Sequence, residues 1–400
     1  MDNPSLSLKD TGRIYLDHNA TTAPLLSVVS NLAGWASHWG NPSSIHKSGR
    51  VPKNILRETR QAVAQWVGAS SPLEIIFTSS GSESNNYVIK GFFEHNKDSE
   101  RNEYITTRVE HPSVLKSFRE LELRGARVHY LDVNREGHLS ENQYKSILSE
   151  KTALVSVMLA NNETGTIFPV KKMSELAREV GARFHTDAVQ ALGKISVNVH
   201  ELGVDFATFV GHKVHALKGA GFVYSKKGGV LRPLISGGGQ ERGRRSGTEN
   251  VLALASLGHV ARELAGYVSE RGRRVGELRD FMEFEILRRL PGVKITGAEG
   301  SRLPNTSSLL IDDVDGESLL MSLDLRGVSV STGAACSSGS MEPSHVLLAM
   351  GLSRVEAQKS LRVSLGMDTT SEELEKFLKI LEEVVLRLRR LREGESHAEL

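Results

Sequence analysis

The sequence contains very little of several features that would mark a class of protein. It has one cysteine, Cys336, among 400 residues, which excludes a disulfide within the chain and any metal site built on paired cysteines. No apolar run approaches the roughly 18 residues of a membrane span. The formal net charge is only +2, so neither nucleic acid nor a membrane surface is indicated as a partner. Residues 1–12 lack the apolar core of a signal peptide, and we expect a cytoplasmic protein.

The one cysteine lies in a run of small residues and glycine, Ser331–Ser340. Such a run predicts little regular structure, with no helix or strand, and an exposed, mobile thiol. Those properties would suit a nucleophile. The alternative is a small core residue, since free cysteine is among the most buried residue types. The run itself does not decide between the two.

Short apolar runs rich in branched residues alternate with helix-like segments over the first 260 residues. This alternation predicts an α/β fold with a mostly parallel sheet that is covered on both faces. The predicted strands are Glu74–Thr78, Tyr104–Thr107, Arg127–Leu131, Ala153–Ala160, Arg183–Thr186, Phe206–Val210 and Gly221–Tyr224. The predicted helices between them include Val51–Val67, Val114–Arg124 and Met173–Val180.

The pattern changes at about Leu252 to long charged helices, for example Ala261–Leu290. A final helix opens with a capping-box arrangement at Thr370–Glu373. A chain of 400 residues is too long to fold around one small hydrophobic core, so we expect two domains with a boundary near residue 260. The basic cluster Arg387–Arg392 complements the end of the last helix, and a solvated helix face explains it as well as DNA binding would.

Ligands of such sheets bind beyond the carboxyl ends of the strands, and polar residues follow several predicted strands. Gly81 and Ser82 open a helix after Thr78 and could bind an anion, or could serve only to cap the helix. Asn161–Gly165 follows another strand and could orient a ligand oxygen, or simply form a turn.

Two charged residues at strand ends predict more specific chemistry. Asp187 follows Arg183–Thr186, and a carboxylate there is costly to desolvate without a cationic partner. That partner could be a ligand or a structural salt bridge; with His185 the carboxylate could also bind a metal, although no third ligand is apparent. Lys213 follows a buried strand, where desolvation lowers the pKa of its amine and favours Schiff-base formation.

The segment Gly237–Thr248 is flexible, cationic and rich in hydroxyl groups. It could close over a phosphate, also across a subunit boundary, or could be only a surface loop. Together with a lysine for a Schiff base and an acid for a ring nitrogen, a phosphate cradle completes what a pyridoxal phosphate enzyme needs.

The sequence resembles the cysteine desulfurases, fold type I enzymes of the class V aminotransferase group, in the branch with a long mobile cysteine loop. The resemblance runs from Tyr15–Thr22 to Leu361–Gly366. Its most specific pieces are His185–Gln190, Gly211–Lys213, Gly237–Thr248 and Ala334–Gly339. It implies a large domain over residues 15–260 with a mostly parallel seven-stranded sheet, and a smaller α+β domain over residues 1–14 and 261–400 that carries the cysteine loop.

The resemblance implies pyridoxal 5'-phosphate as the cofactor and a set of residues that hold it. Lys213 would hold it covalently and then move protons, and Asp187 would pair with the pyridinium nitrogen. Asn162 and Gln190 would contact the phenolic oxygen of the ring. The phosphate would be bound by Gly81, Ser82 and His212, with Thr248 reaching in from the partner subunit of a homodimer.

The resemblance also implies the reaction. Arg362 would bind the carboxylate of L-cysteine, and His111 would lie over the ring and act in acid–base steps. Cys336 would take the substrate sulfur as a persulfide and release L-alanine, and an acceptor protein of unknown identity, in iron–sulfur cluster assembly or thiolation, would then receive the sulfur. No metal is implied.

Two departures from the family pattern leave alternatives open. Val210 stands where many relatives carry Ser or Thr, a feature shared with selenocysteine lyases, and His215–Leu217 replaces the usual aromatic–Gly–Pro. Selenocysteine lyase is therefore the alternative enzyme. An inactive scaffold for sulfur-transfer partners is the alternative of another class, against which the complete set of Lys213, Asp187, His111 and Cys336 argues.

Overall fold

The structure is a computed structural model that describes residues 12–333, 335–337 and 340–398, with the side chains of residues 334–341 and 394–400 outside the description. Its strands are β1 (Ile14–Tyr15), β2 (Ile75–Thr78), β3 (Glu103–Thr107), β4 (Arg127–Leu131), β5 (Thr152–Ser156), β6 (Arg183–Asp187), β7 (Phe206–Val210), β8 (Gly221–Ser225), β9 (Val293–Ile295), β10 (Thr306–Ile311), β11 (Val328–Ser329), β12 (Ala335–Ser337), β13 (Ser340–Glu342) and β14 (Ser360–Ser364). Its helices are α1 (Leu26–Ala36), α2 (Lys47–Trp66), α3 (Gly81–Asn96), α4 (Pro112–Leu123), α5 (Glu141–Ile147), α6 (Val170–Glu179), α7 (Val199–Leu202), α8 (Val251–Leu264), α9 (Val268–Arg289), α10 (Gly316–Leu325), α11 (His345–Ala349), α12 (Arg354–Gln358) and α13 (Ser371–Ala398).

A seven-stranded sheet with the order β2-β8-β7-β6-β5-β3-β4 forms the centre of the fold. Only β8 runs antiparallel to its neighbours β2 and β7; the other pairs are parallel. All seven predicted strands are present in this sheet, so the prediction of a mostly parallel seven-stranded sheet is confirmed. The carboxyl ends of the parallel strands therefore lie along one edge.

Both faces of this sheet are covered, so β2, β5, β7 and β8 are buried along their whole length. Successive side chains of β7 point to opposite faces. Phe206 packs edge to face with Phe92 of α3, with ring centroids 6.0 Å apart, whereas Phe209 stacks on Phe222 in the core on the other face at 4.7 Å. The two faces of the sheet thus pack into two separate hydrophobic cores.

A second hydrophobic core lies outside the large sheet. It is formed by Leu16 and by apolar residues from Val275 to Val385, around the antiparallel sheet β14-β10-β9 and the pair β1-β11. Phe377 and Leu381 of α13 are fully buried in it. The separate core supports the predicted smaller α+β domain, and the domain boundary near residue 260 stays a prediction.

Two of the predicted elements differ from the structure. The single helix predicted over Ala261–Leu290 is interrupted: α8 ends at Leu264, a 3₁₀ turn covers Ala265–Tyr267, and α9 begins at Val268. Gly266 lies in that turn, and glycine is a poor helix former. The run Ser331–Ser340, expected to hold no strand, contains β12, whose Cys336 pairs with Met341 of β13. A hairpin ladder uses backbone groups, which small residues also supply.

None of the helices in the described part of the chain is both long and apolar enough to cross a membrane.

The packing of α2 on α8 generates a prediction about stability. A β-carbon added to Gly258 would lie only 2.8 Å from Thr59 Cα, while one on Gly266 would meet nothing within 4 Å. We expect Gly258→Ala to lower the free energy of unfolding by about 1–3 kcal/mol, because the two helices must move apart. Gly266→Ala is the matched control and should be neutral or slightly stabilising. Thermal unfolding monitored by circular dichroism measures both, and an equal Tm for the two variants would contradict the close helix contact.

Candidate active site

A cleft of about 320 Å³ opens at the carboxyl edge of the large sheet. It brings together nine of the residues that the sequence predicts for the site: Gly81, Ser82, His111, Asn162, Asp187, Gln190, His212, Lys213 and Arg362. Thr248 does not line this cleft, and the side chain of Cys336 lies outside the described residues. The structure therefore assembles most of the predicted cofactor and substrate groups in one place.

The sheet explains why these side chains meet. Asp187 is the last residue of β6, and the 3₁₀ turn Gly211–Lys213 follows β7 directly. His111 is the N-cap of α4, just beyond β3. Because neighbouring parallel strands end at the same edge, three residues that are far apart in sequence face one cleft.

The carboxylate of Asp187 is held by neutral donors. Its Oδ2 accepts a hydrogen bond from Asn85 Nδ2 at 2.7 Å, and its Oδ1 accepts from the backbone N–H of Val189 at 3.0 Å. No described lysine or arginine forms an ion pair with it, so the salt-bridge interpretation is not supported. His185 uses both ring nitrogens on Ser156 and Thr208, so a metal site with Asp187 is not supported either.

Lys213 has an amine that is easier to deprotonate than an ordinary lysine. Burial and, after it, the charge of the neighbouring Arg362 lower the pKa of Lys213 to about 8, while Asp17 and Asp187 oppose the shift. Its Nζ donates hydrogen bonds to the backbone carbonyls of Asn19 and Ala20. A neutral amine, which carbonyl chemistry requires, is thus accessible near neutral pH.

His111 is oriented by the helix that it caps. Its Nδ1 accepts a hydrogen bond from the backbone N–H of Ser113 at 3.1 Å, which assigns the proton of the neutral ring to Nε2. Burial lowers the pKa of His111, with Lys213 and His345 adding to the effect and Asp187 opposing it. The neutral ring can therefore donate a hydrogen bond from Nε2 while its other nitrogen stays fixed.

The start of α3 has the backbone donors that an anion site needs. Ser80 is the N-cap, with Oγ accepting from Glu83 N at 3.1 Å, and Gly81 and Ser82 occupy the first turn, where backbone N–H groups have no partner inside the helix. His212 lines the same cleft, and burial followed by the charge of Lys213 lowers its pKa to about 4. A neutral His212 keeps one N–H available as a donor.

Arg362 is fixed on two sides. Its Nη2 pairs with Asp17 Oδ1 at 2.8 Å, and its Nη1 donates to the carbonyl of Asn162 at 3.2 Å. The side chain is only 9% exposed and lines the cleft. An arginine held in this way presents its charge to an anion without losing further side-chain freedom.

Sequence reasoning missed two positioning residues, Asn19 and Asn85. The carbonyl of Asn19 accepts from Lys213 and from Gln190 Nε2, and its side chain binds Asn162 O and Lys194. Asn85 bridges Asp187 and Ser113 Oγ, the latter at 3.0 Å. Asn85 lies four residues after Gly81, on the same face of α3, which is the one signal that could have found it.

Thr248 lines a separate groove of about 450 Å³ with Trp35, Trp39 and Asn41. The loop before it is held by Glu241, whose carboxylate binds Arg60 and the backbone N–H of Phe77. Glu241 and Arg242 both adopt positive φ, at 46° and 61°. In the single chain, Thr248 is therefore away from the cleft, and its role at a partner's cofactor stays a prediction.

The two departures from the family pattern are also visible. Val210 lines the cleft, so no hydroxyl is available at that position. His215 adopts φ of 68°, and its backbone N–H donates to Thr22 Oγ1 at 2.7 Å. The changed turn after Lys213 is thus anchored to the segment that also carries Asn19.

The model of the class-V aminotransferase family matches residues 14–377. The chain belongs to this family. It is 42% identical over 381 residues to a cysteine desulfurase of Gluconacetobacter diazotrophicus, with 94% of each chain covered, and 43% identical over 377 residues to the cysteine desulfurase IscS of Dictyoglomus turgidum, with 94% of this chain and 95% of that one covered. A solved NifS-like protein superposes with a TM-score of 0.87 at 36% identity, over 93% of this chain and 99% of that one. The predicted family and its fold type I architecture are confirmed.

The fold and the family imply pyridoxal phosphate, and the donor set of the cleft fits it. Asp187 offers an ionisable carboxylate with no described cationic partner, which suits a pyridinium N–H. Gly81 and Ser82 offer backbone N–H groups for a phosphate, and Lys213 offers an amine with a lowered pKa. The ring nitrogen, the phosphate and the carbonyl carbon of the cofactor would thus each find a residue of matching chemistry.

The depressed pKa of Lys213 generates a prediction about cofactor capture. We expect the rate at which cofactor-free protein captures pyridoxal phosphate to rise with pH and to level off above about 8, because the neutral amine reacts. Arg362→Gln removes a neighbouring positive charge, so its midpoint should move to higher pH. Arg119→Gln, an exposed control, should leave the midpoint unchanged. Absorbance after rapid mixing measures the rate, and equal midpoints in all three proteins would contradict the assigned coupling.

Proposed function

We propose that this chain is a cysteine desulfurase that converts L-cysteine to L-alanine and transfers the sulfur to Cys336. The observation that carries the proposal is the convergence of Lys213, Asp187 and Arg362 in one cleft, in a chain whose relatives at 42–43% identity are cysteine desulfurases. The set joins an amine, an acid and a carboxylate-binding group, which is what removal of sulfur from an amino acid requires.

Each residue of the cleft has a distinct task in this proposal. Arg362 binds the substrate carboxylate, since its guanidinium is already held by Asp17. Asp187 holds the cofactor ring nitrogen protonated, and Lys213 moves the proton of the substrate Cα. Pyridoxal phosphate, when bound, withdraws electrons from the substrate Cα. His111 donates from Nε2 and supports the proton movements.

The sulfur-transfer step uses the thiolate of Cys336. Its Sγ bonds to the substrate sulfur as the bond between that sulfur and the substrate Cβ breaks. The electron pair of the broken bond stays on the carbon side, where a proton completes the methyl group of alanine. An ordinary thiol has a pKa of about 8.5 and is only partly ionised at neutral pH, so positive charge at the cofactor site would assist by favouring the thiolate.

Several finer features belong to the same proposal. We propose a homodimer in which Thr248 contributes to the partner's cofactor site, because the groove that Thr248 lines is exposed in the single chain. We also propose that a sulfur-acceptor protein of iron–sulfur cluster assembly or thiolation unloads Cys336. The two-domain division at residue 260 and a cytoplasmic location stay predictions.

The role of Lys213 gives a direct prediction. We expect Lys213→Ala to abolish alanine formation from L-cysteine and to remove the visible absorbance of the bound cofactor, because Lys213 is the lysine that lines the cleft among the described residues. Lys218→Ala, an exposed control five residues further on, should retain both. A colourless wild-type protein whose spectrum is unchanged by Lys213→Ala would instead favour the inactive scaffold.

The role of Cys336 separates sulfur from selenium chemistry. We expect Cys336→Ala to abolish sulfur release from L-cysteine and to spare selenium release from L-selenocysteine, where an attacking thiol is less needed. Alanine is quantified with both substrates. Val210 in the cleft is the observation that keeps selenocysteine lyase as a second candidate. Equal loss, or no loss, on both substrates would contradict the distinction.

A further inference from the structure

A buried carboxyl group, Glu163, lies between the two ends of the segment that carries Cys336. Its Oε2 accepts a hydrogen bond from the hydroxyl of Ser344, at the C-terminal end of that segment. At the other end, a β-carbon on Gly333 would overlap Glu163 Oε2 and would lie 2.9 Å from Ser344 Cβ. One side chain therefore contacts the residues where the segment begins and ends.

The position of Glu163 is fixed by the turn that contains it. Asn161 Oδ1 accepts from the backbone N–H of Glu163 at 2.8 Å and from that of Thr164 at 3.1 Å. The side chain of Glu163 is buried, with 6% of the residue exposed. Asn162, in the same turn, binds Arg362 through its carbonyl. The turn that contacts the carboxylate-binding arginine thus also presents Glu163 to the cysteine segment.

Two further contacts tie the segment to the cleft. Ser331 exchanges two backbone hydrogen bonds with Arg362, of 2.7 and 3.2 Å. His345 Nε2 lies 2.9 Å from the carbonyl of Glu110, the residue before His111. The segment that carries Cys336 therefore begins next to Arg362 and ends next to the residue before His111. Glu163 lies between these two ends.

We propose that Glu163 is a positioning residue for sulfur transfer, which fixes where the Cys336 segment leaves and rejoins the protein beside the substrate site. The inference rests on the proposed function, in which Cys336 takes the sulfur. Burial raises the pKa of Glu163 to about 7, with Ser344 and Arg362 opposing the shift. Burying a carboxyl group is unfavourable for folding. The contacts of Glu163 with Gly333 and Ser344 explain why such a group stands at this position.

The test compares variants of the cofactor-loaded full chain in two assays. Glu163→Ala and Ser344→Ala each remove one partner of the contact. Ser353→Ala is the matched control, because Ser344 and Ser353 both cap five-residue helices but only Ser344 contacts Glu163. The first assay is alkylation of Cys336 by iodoacetamide without substrate, which is unambiguous because the chain has one cysteine. The second is a single turnover with L-cysteine, in which cofactor absorbance reports substrate binding and alanine reports sulfur transfer.

We expect Glu163→Ala and Ser344→Ala to change the alkylation rate of Cys336 and to slow sulfur transfer by about tenfold, since small displacements of reacting groups are costly. Substrate binding should change by less than about twofold, which separates positioning from binding. The double variant should be no worse than either single variant, because both remove one shared interaction. Glu163→Gln keeps a partner for Ser344, so it should recover most of the rate and covers the case in which Glu163→Ala does not fold.

The inference is overturned if Glu163→Ala leaves alkylation and sulfur transfer at wild-type rates, or if Ser353→Ala shows the same losses. It is also overturned if substrate binding is weakened as much as sulfur transfer is slowed. Failure of the proposed function looks different: the wild-type protein would release no alanine from L-cysteine, and the alkylation assay would still test the contact of Glu163 with the segment.

Discussion

The site depends on removing charged groups from water at the carboxyl edge of one sheet. Asp187 and Lys213 end up there because β6 and β7 are parallel neighbours, and each is held by neutral partners, the amide of Asn85 and the carbonyl of Asn19. Arg362, in contrast, forms an ion pair with the carboxylate of Asp17. Desolvation therefore leaves the amine of Lys213 with a pKa of about 8, which makes it reactive near neutral pH.

The same burial sets the state of the neighbouring histidines. It lowers the pKa of His111 and brings that of His212 to about 4, so both rings are neutral at physiological pH. A neutral His111 with its proton on Nε2 can donate from that nitrogen, and a neutral His212 can still donate a hydrogen bond to a phosphate. If both histidine rings were protonated, their positive charges would lower the pKa of Lys213 further. Because both rings are neutral, they add nothing to that shift.

The parts of the fold that the sequence predicts are those that local pattern controls. Seven strands are predicted from short runs rich in apolar and branched residues, and the polar residues just after several of them form most of the cleft. Asn19 and Asn85 were not predicted, because their roles come from hydrogen bonds to residues more than 100 positions away. The break at Ala265–Tyr267 was missed because one glycine interrupts an otherwise helical pattern. The role proposed for Thr248 rests on the family resemblance, because in this chain Thr248 lines a separate groove.

The central claim is that Cys336 accepts the sulfur that this cleft removes from L-cysteine. Mass spectrometry of the cofactor-loaded protein after one turnover, without reductant, tests it most directly. The account predicts one additional sulfur atom on the peptide that contains Cys336, together with one alanine per chain. Alanine released with free sulfide and an unmodified Cys336 would contradict it.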